Sequence, residues 1–150
     1  MKIFKFFLTF SIAYLISAQQ PSAYKTNIFE YELILGAWAF ESMTTIKKAK
    51  REEITILYKD NKNIETLHFK DSGAINYDVI NDGIEKNGVG IWFSDENHLT
   101  IIVDSDTTYG TFTIDENTLT LVISAEETDE QYGYSTILKY IKNNDREYRQ

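Results

Sequence analysis

Apolar and polar residues alternate with a period of two along most of this chain, and short polar phrases punctuate the alternation. One phrase occurs twice. Asp95-Glu96-Asn97-His98-Leu99-Thr100 returns as Asp115-Glu116-Asn117-Thr118-Leu119-Thr120. Each copy follows an alternating run, Gly90-Ile91-Trp92-Phe93 or Thr111-Phe112-Thr113-Ile114, and precedes another, Ile101-Ile102-Val103 or Leu121-Val122-Ile123. Successive side chains of a strand point to opposite faces, so this is strand, polar turn, strand, written two times. Asp and Asn suit such turns because their short side chains hydrogen-bond the local backbone and tolerate left-handed conformations. A loop of about four or five polar residues is a common hairpin length, and the middle of the chain reads as an antiparallel meander.

The same signal extends in both directions. Ala37 to Ile46 predicts a first strand with Trp38 and Phe40 on one side, followed by a charged surface loop from Lys47 to Glu53 and a second strand from Ile54 to Lys59. Ile64 to Phe69 and Ala74 to Val79 form a hairpin about the turn Lys70-Asp71-Ser72-Gly73. Leu67 and Phe69 share one face there, as do Ile75, Tyr77 and Val79, the pattern of a sheet wet on one side only. Asn81-Asp82-Gly83 and Asn87-Gly88 are further turn signals, and a last strand runs from Tyr132 to Ile141. Ahead of all this, Asn27 and Glu30 have capping-box spacing, Ile28, Tyr31 and Leu35 fall on one helical face, and Gly36 supplies a stop. The prediction is an all-β, antiparallel up-and-down barrel of eight or nine strands with one short N-terminal helix. Closure removes the two edges of so long a meander.

Composition changes this picture in three ways. Residues 1–18 combine a basic start at Lys2 and Lys5 with an apolar run from Phe6 to Ile16 and a small residue, Ala18, before Gln19. That is the pattern of a secretory signal peptide cleaved near Ala18, its apolar run being short for a membrane span. The expectation is an exported chain, periplasmic or secreted, whose residues 19–150 form one domain with its core in 33–142. There is no cysteine, so this domain relies on its core rather than on disulfides. The net charge of -8 becomes more negative once Lys2 and Lys5 are removed, and such a surface repels phosphate backbones, which argues against nucleic acid as a partner.

Candidate chemistry is sparse. Two histidines do not build a three-histidine zinc site; His68 alternates away from Leu67 and Phe69, and His98 falls in a turn. Asp104-Ser105-Asp106 begins like a calcium loop, but the sixth position is Tyr109 and the twelfth Asp115, against the Gly and Glu that geometry requires. The acidic run Glu126, Glu127, Asp129 and Glu130 reads as a solvated loop or an irregular calcium site. No nucleophile elbow or phosphate-binding glycine loop occurs. The expectation is therefore no enzyme, with no catalytic residue, no metal and no cofactor.

The ordered series Leu35-Gly36-Ala37-Trp38, Leu67-His68-Phe69-Lys70-Asp71-Ser72-Gly73, Gly90-Ile91-Trp92-Phe93 and Tyr109-Gly110-Thr111-Phe112-Thr113-Ile114 resembles the lipocalin-like domains of exported bacterial proteins, within the wider group of lipocalins, fatty-acid-binding proteins and avidins. The resemblance implies a barrel whose open end accepts a small apolar molecule, with Gly36 and Trp38 as structural positions. It also implies a basic residue of the last strand packed across Trp38, either Lys139 or Lys142. Many members carry a lipoprotein cysteine, which this chain lacks.

Alternation assigns Trp38, Phe40, Ile54, Ile56, Tyr58, Leu67, Phe69, Ile75, Tyr77, Val79, Ile91, Phe93, Leu99, Ile101, Val103, Phe112, Ile114, Leu119, Leu121 and Ile123 to the interior. Most are core, each buried large side chain contributing roughly 1.5–3 kcal/mol. The leading expectation is a small hydrophobic or amphipathic ligand held at the barrel mouth by Trp38, Tyr58, Phe69, Tyr77 and Phe93. The alternative is a protein-interaction or inhibitor module of the cell envelope with a filled barrel, presenting Tyr109, Tyr132 and Tyr134 beside the acidic loop.

Overall fold

The computed structural model describes residues 32–48, 51–128 and 132–143. The candidate signal peptide and residues 27–31 of the predicted helix lie outside the described residues, and Glu32 to Ile34 is helical. The strands are β1 (Gly36–Lys48), β2 (Glu52–Tyr58), β3 (Asn63–Phe69), β4 (Ala74–Asn81), β5 (Ile84–Asp95), β6 (His98–Val103), β7 (Asp106–Asp115), β8 (Thr118–Ala125) and β9 (Tyr134–Lys142). All pair antiparallel, in the order β2-β1-β3-β4-β5-β6-β7-β8-β9, and β1 also pairs with β9. Eight strands, β1 and β3 to β9, close the barrel, and β2 is an extra ninth.

The geometry of β1 explains the extra strand. One edge of β1 pairs with β9 from Trp38 to Lys47. Its other edge is shared, Gly36 to Ala39 pairing with β3 and Ser42 to Lys48 with β2. A β-bulge separates the two halves: Phe40 opposes Tyr140 and Ser42 opposes Lys139, leaving Glu41 unopposed. One additional residue exchanges the faces of a strand, so Trp38 and Phe40 are buried before the bulge and Met43 after it.

This exchange overturns part of the predicted interior. Directly opposed residues share a face; Leu57 opposes Met43, while Tyr58, Ile56 and Ile54 oppose Ser42, Thr44 and Ile46. Leu57 packs against the core, and Ile54, Ile56 and Tyr58 are each more than half exposed on the outer surface. The charged loop is shorter than expected, because Lys47 and Lys48 belong to β1 and Glu52 and Glu53 to β2.

A second correction concerns β5, where Ile91 and Phe93 face outward and Trp92 is buried. Both faces of this stretch are apolar, and glycine breaks the tie. A Cβ at Gly88 would stand 2.5 Å from Tyr77 Oη, and one at Gly90 would collide with the Ile102 carbonyl and lie 2.9 Å from Val103 Cγ2. Only the face bearing these glycines fits against the crowded interior, and Trp92 shares it. Asn87-Gly88 consequently lies inside β5 and is not a turn; Tyr77 opposes Gly88.

The repeated phrase does form two hairpins, with tighter turns than expected. Asp95 pairs with His98 and Asp115 with Thr118, leaving Glu96-Asn97 and Glu116-Asn117 as the connections. Glu96 and Glu116, rather than the neighbouring Asp or Asn, take the positive φ, 51° at each. His98 thus opens β6 and stacks on Tyr109 at 5.4 Å. The preceding hairpin, between β4 and β5, follows the expected chemistry, Asp82 and Gly83 having φ of 51° and 82°, the pair of left-handed residues that a tight two-residue turn needs.

Candidate binding site

The two ends of the barrel differ. At the end where β1 begins, each hairpin is tied to the following strand through its turn. Trp92 N–H donates to the Gly73 carbonyl at 2.8 Å, Phe112 N–H to Asn97 at 2.7 Å and Lys142 N–H to Asn117 at 2.7 Å. Asn143 N–H completes the circuit onto Ala37 at 2.8 Å.

Trp38 plugs this end. Its indole Nε1 donates to the Ile34 carbonyl at 2.7 Å, so the short helix is held against the barrel by a buried hydrogen bond. Lys142 Nζ lies 4.3 Å from the Trp38 ring centroid and donates to the carbonyls of Leu33 and Leu35. Lys142, rather than Lys139, is therefore the basic residue across the tryptophan, and its burial lowers the ammonium pKa below the ordinary lysine value. Gly36, with φ of 107°, turns the chain from helix to strand beside it. Trp92 adds a second indole to this end, donating to the Lys70 carbonyl at 2.9 Å and standing edge-on to Phe69 at 5.2 Å.

Deeper in, Phe40 and Tyr140 meet edge-on at 6.0 Å, and next to them lies Glu65, the buried charged residue of the described core at 2% exposure. Glu65 is inward because it shares the parity of Leu67 and Phe69 on β3. Tyr140 Oη donates to Glu65 Oε1 at 2.7 Å, whereas Oε2 is buried and has no hydrogen-bond partner. Burial pushes the Glu65 carboxyl up to about 7, against a smaller lowering by the Tyr140 hydrogen bond. Tyr140 rises well above the ordinary tyrosine value through its own burial and the adjacent carboxylate.

Toward the opposite end the inward side chains are only half-buried. Leu57, Val79, Val103 and Ile123 pack on the core while retaining exposure, and Thr45 and Thr136 face each other with 3.4 Å between their hydroxyls. Lys86 sits at this rim, paired with Asp104 at 3.1 Å and 5.9 Å from the centre of the Tyr77 ring.

Of the five residues expected to hold a ligand, Trp38, Phe69 and Tyr77 are interior, Trp38 and Phe69 belonging to the plugged end. Tyr58 and Phe93 are on the outer wall, so the five do not converge. Of the tyrosines expected outside, Tyr109 and Tyr132 are exposed and Tyr134 is buried, because it takes the inward parity of Leu138 and Tyr140. Among the acidic-loop residues, Glu126 and Glu127 are exposed and Asp129 and Glu130 lie outside the described residues. Among the described residues no cluster of three or more His, Asp or Glu has metal-binding geometry, and no helix is long and apolar enough to cross a membrane. Sequence reasoning missed Glu65 and Tyr140, although a lone carboxylate in phase with Leu67 and Phe69 was the available signal.

No family model matches the chain, and neither a curated protein nor a solved structure is similar to it. The class of molecule is carried by architecture alone. It is an antiparallel barrel of eight strands with one extra strand, consistent with a calycin-like fold.

Proposed function

We propose that this chain is an exported, lipocalin-like binding protein, non-enzymatic, that holds one small hydrophobic or amphipathic molecule inside the barrel. The observation that carries the reading is the asymmetry of the interior. One end is plugged by Trp38 and Lys142; the other presents half-buried Leu57, Val79, Val103 and Ile123 above a buried carboxyl group. Ligand sites are mostly apolar with a few convergent polar groups, and among the described residues half-buried apolar side chains lie beside a buried carboxyl group toward the latter end. The resemblance to lipocalin-like domains through Gly36 and Trp38 agrees with it, and the leader pattern of residues 1–18 supports export.

Native mass spectrometry of the protein beginning at Gln19, with medium-chain amphiphiles added, tests the reading. One bound molecule per chain, with a matching change in the fluorescence of Trp38 and Trp92, is the expected result. Absence of any adduct across chain lengths and head groups refutes it. Mass determination of the chain recovered outside the cytoplasm tests export, the expected N-terminus being Gln19.

A further inference from the structure

We propose that Glu65 is the recognition group of the barrel: its Oε2 accepts a hydrogen bond from the polar head of the ligand, and that head is an amine. The inference rests on the ligand-holding reading above and narrows it to a chemical class.

Three observations lead there. First, the carboxyl group is already oriented, because Tyr140 holds Oε1 at 2.7 Å while Oε2 stays buried without a partner. Buried polar atoms are nearly always paired in folded proteins, so a fixed, unpaired acceptor on an inward strand face is a place for a donor. Second, no cation among the described residues is paired with it. The inward faces around Glu65 carry Lys47 on β1, Tyr77 on β4, Lys86 on β5, Asp106 on β7, and Tyr134, Tyr140 and Lys142 on β9. All three lysines are engaged elsewhere, Lys86 with Asp104 at 3.1 Å, Lys47 over the Tyr132 ring at 5.5 Å, and Lys142 over Trp38 at the plugged end. Third, the half-buried side chains beyond it are apolar, suited to a hydrocarbon tail.

Charge selects among heads. A ligand carboxylate places like charges side by side, which disfavours ionisation of one of them. An alcohol supplies a donor without charge; an ammonium supplies both and forms a charge-assisted hydrogen bond. Burial holds the Glu65 carboxyl near 7, so its ionised fraction grows about tenfold from pH 6 to pH 8, while an alkylammonium stays charged over that range.

Octylamine, octanol and octanoate titrated calorimetrically into the chain beginning at Gln19, at pH 6 and pH 8, provide the test. The expected result is octylamine binding about tenfold more tightly at pH 8 than either competitor, with a loss of about tenfold at pH 6. In Glu65→Gln both the preference and its pH dependence vanish, whereas octanol affinity changes by less than about twofold. Tyr140→Phe leaves Oε2 in place and removes a hydrogen bond that lowers the Glu65 pKa; it keeps the amine preference and moves its pH midpoint upward, a readout that stands if Glu65→Gln fails to fold. Equal binding of the three probes, preference for octanoate, or an unchanged preference in Glu65→Gln overturns the assignment and leaves the ligand-holding reading intact. Failure of all three probes to bind overturns the assignment, and the ligand-holding reading falls with it when no amphiphile of another chain length binds either.

Discussion

The same strands build both ends of the barrel, and the two ends bury their inward side chains to different depths. At the Trp38 end, Ile34, Trp38, Phe69, Ile75, Trp92, Leu99 and Leu119 are fully buried, and backbone hydrogen bonds tie the turns together. At the other, Leu57, Val79, Val103 and Ile123 occupy equivalent inward positions and stay half-buried. Strand pairing differs as well: toward the looser end β1 leaves β3 for β2, and Ile84 to Gly90 of β5 pair with β4 but not with β6. Large rings and a tethered lysine close one end; small residues such as Thr45, Thr136 and Ala125 leave the other looser. Burial is thereby concentrated away from the end proposed for binding, a division expected where binding elements come from the less stable portion of a fold.

The strongest way to break this contrast is Trp38→Ala. It removes a fully buried indole, its hydrogen bond to Ile34 and its contact with Lys142. The expected loss is about 3–5 kcal/mol, measured by urea denaturation, against a much smaller effect for a truncation such as Val103→Ala at the looser end.

Glu65 provides the next largest effect, through pH. Its folded pKa is raised from 4.5 to about 7, so between those values the native state binds more proton than the unfolded chain. Stability is then greatest below pH 4.5 as far as this group is concerned, declines as pH rises through 7, and levels off above. The decline approaches about 3 kcal/mol at one pKa unit per 1.4 kcal/mol. Denaturant midpoints compared between the native chain and Glu65→Gln from pH 5 to pH 8 read it directly, the variant lacking the slope.

Gly90→Ala sharpens the argument about which face of β5 points inward. A methyl group there meets the Ile102 carbonyl, Val103 and Ile75, and overpacking of this kind costs about 1–3 kcal/mol, whereas alanine at an outward β5 position such as Val89 meets no such obstacle. The smallest effect belongs to Ile56→Thr on the outer surface of β2, within about 0.5 kcal/mol in thermal unfolding. A loss as large as that of a core residue at this position contradicts its outward placement.

The hairpins were legible because turn phrases and alternating runs are local. Leu67, Phe69, Leu99, Leu119 and Leu121 are interior as their parity predicts. What escaped was non-local. The face of β2 depends on one unopposed residue, Glu41, in the preceding strand, and nothing within Ile54 to Tyr58 announces it. On β5 two apolar faces compete, and the choice rests on what stands opposite Gly88 and Gly90. The candidate site was hidden for a different reason: alternation marks the greasy positions of a strand, and Glu65 and Tyr140 are inward residues distinguished by their polarity. The resemblance to lipocalin-like domains placed Trp38 correctly and left Lys139 and Lys142 open, which the strand register resolves in favour of Lys142.

The hydrogen bonds from Trp92, Phe112, Lys142 and Asn143 act together as a hoop around one rim. A hooped rim cannot splay without breaking several of them at once, so the molecule breathes as a cup and not as a tube. On the proposed reading a ligand enters and leaves at the opposite lip, where the turns Asp82-Gly83 and Asp104-Ser105 lie.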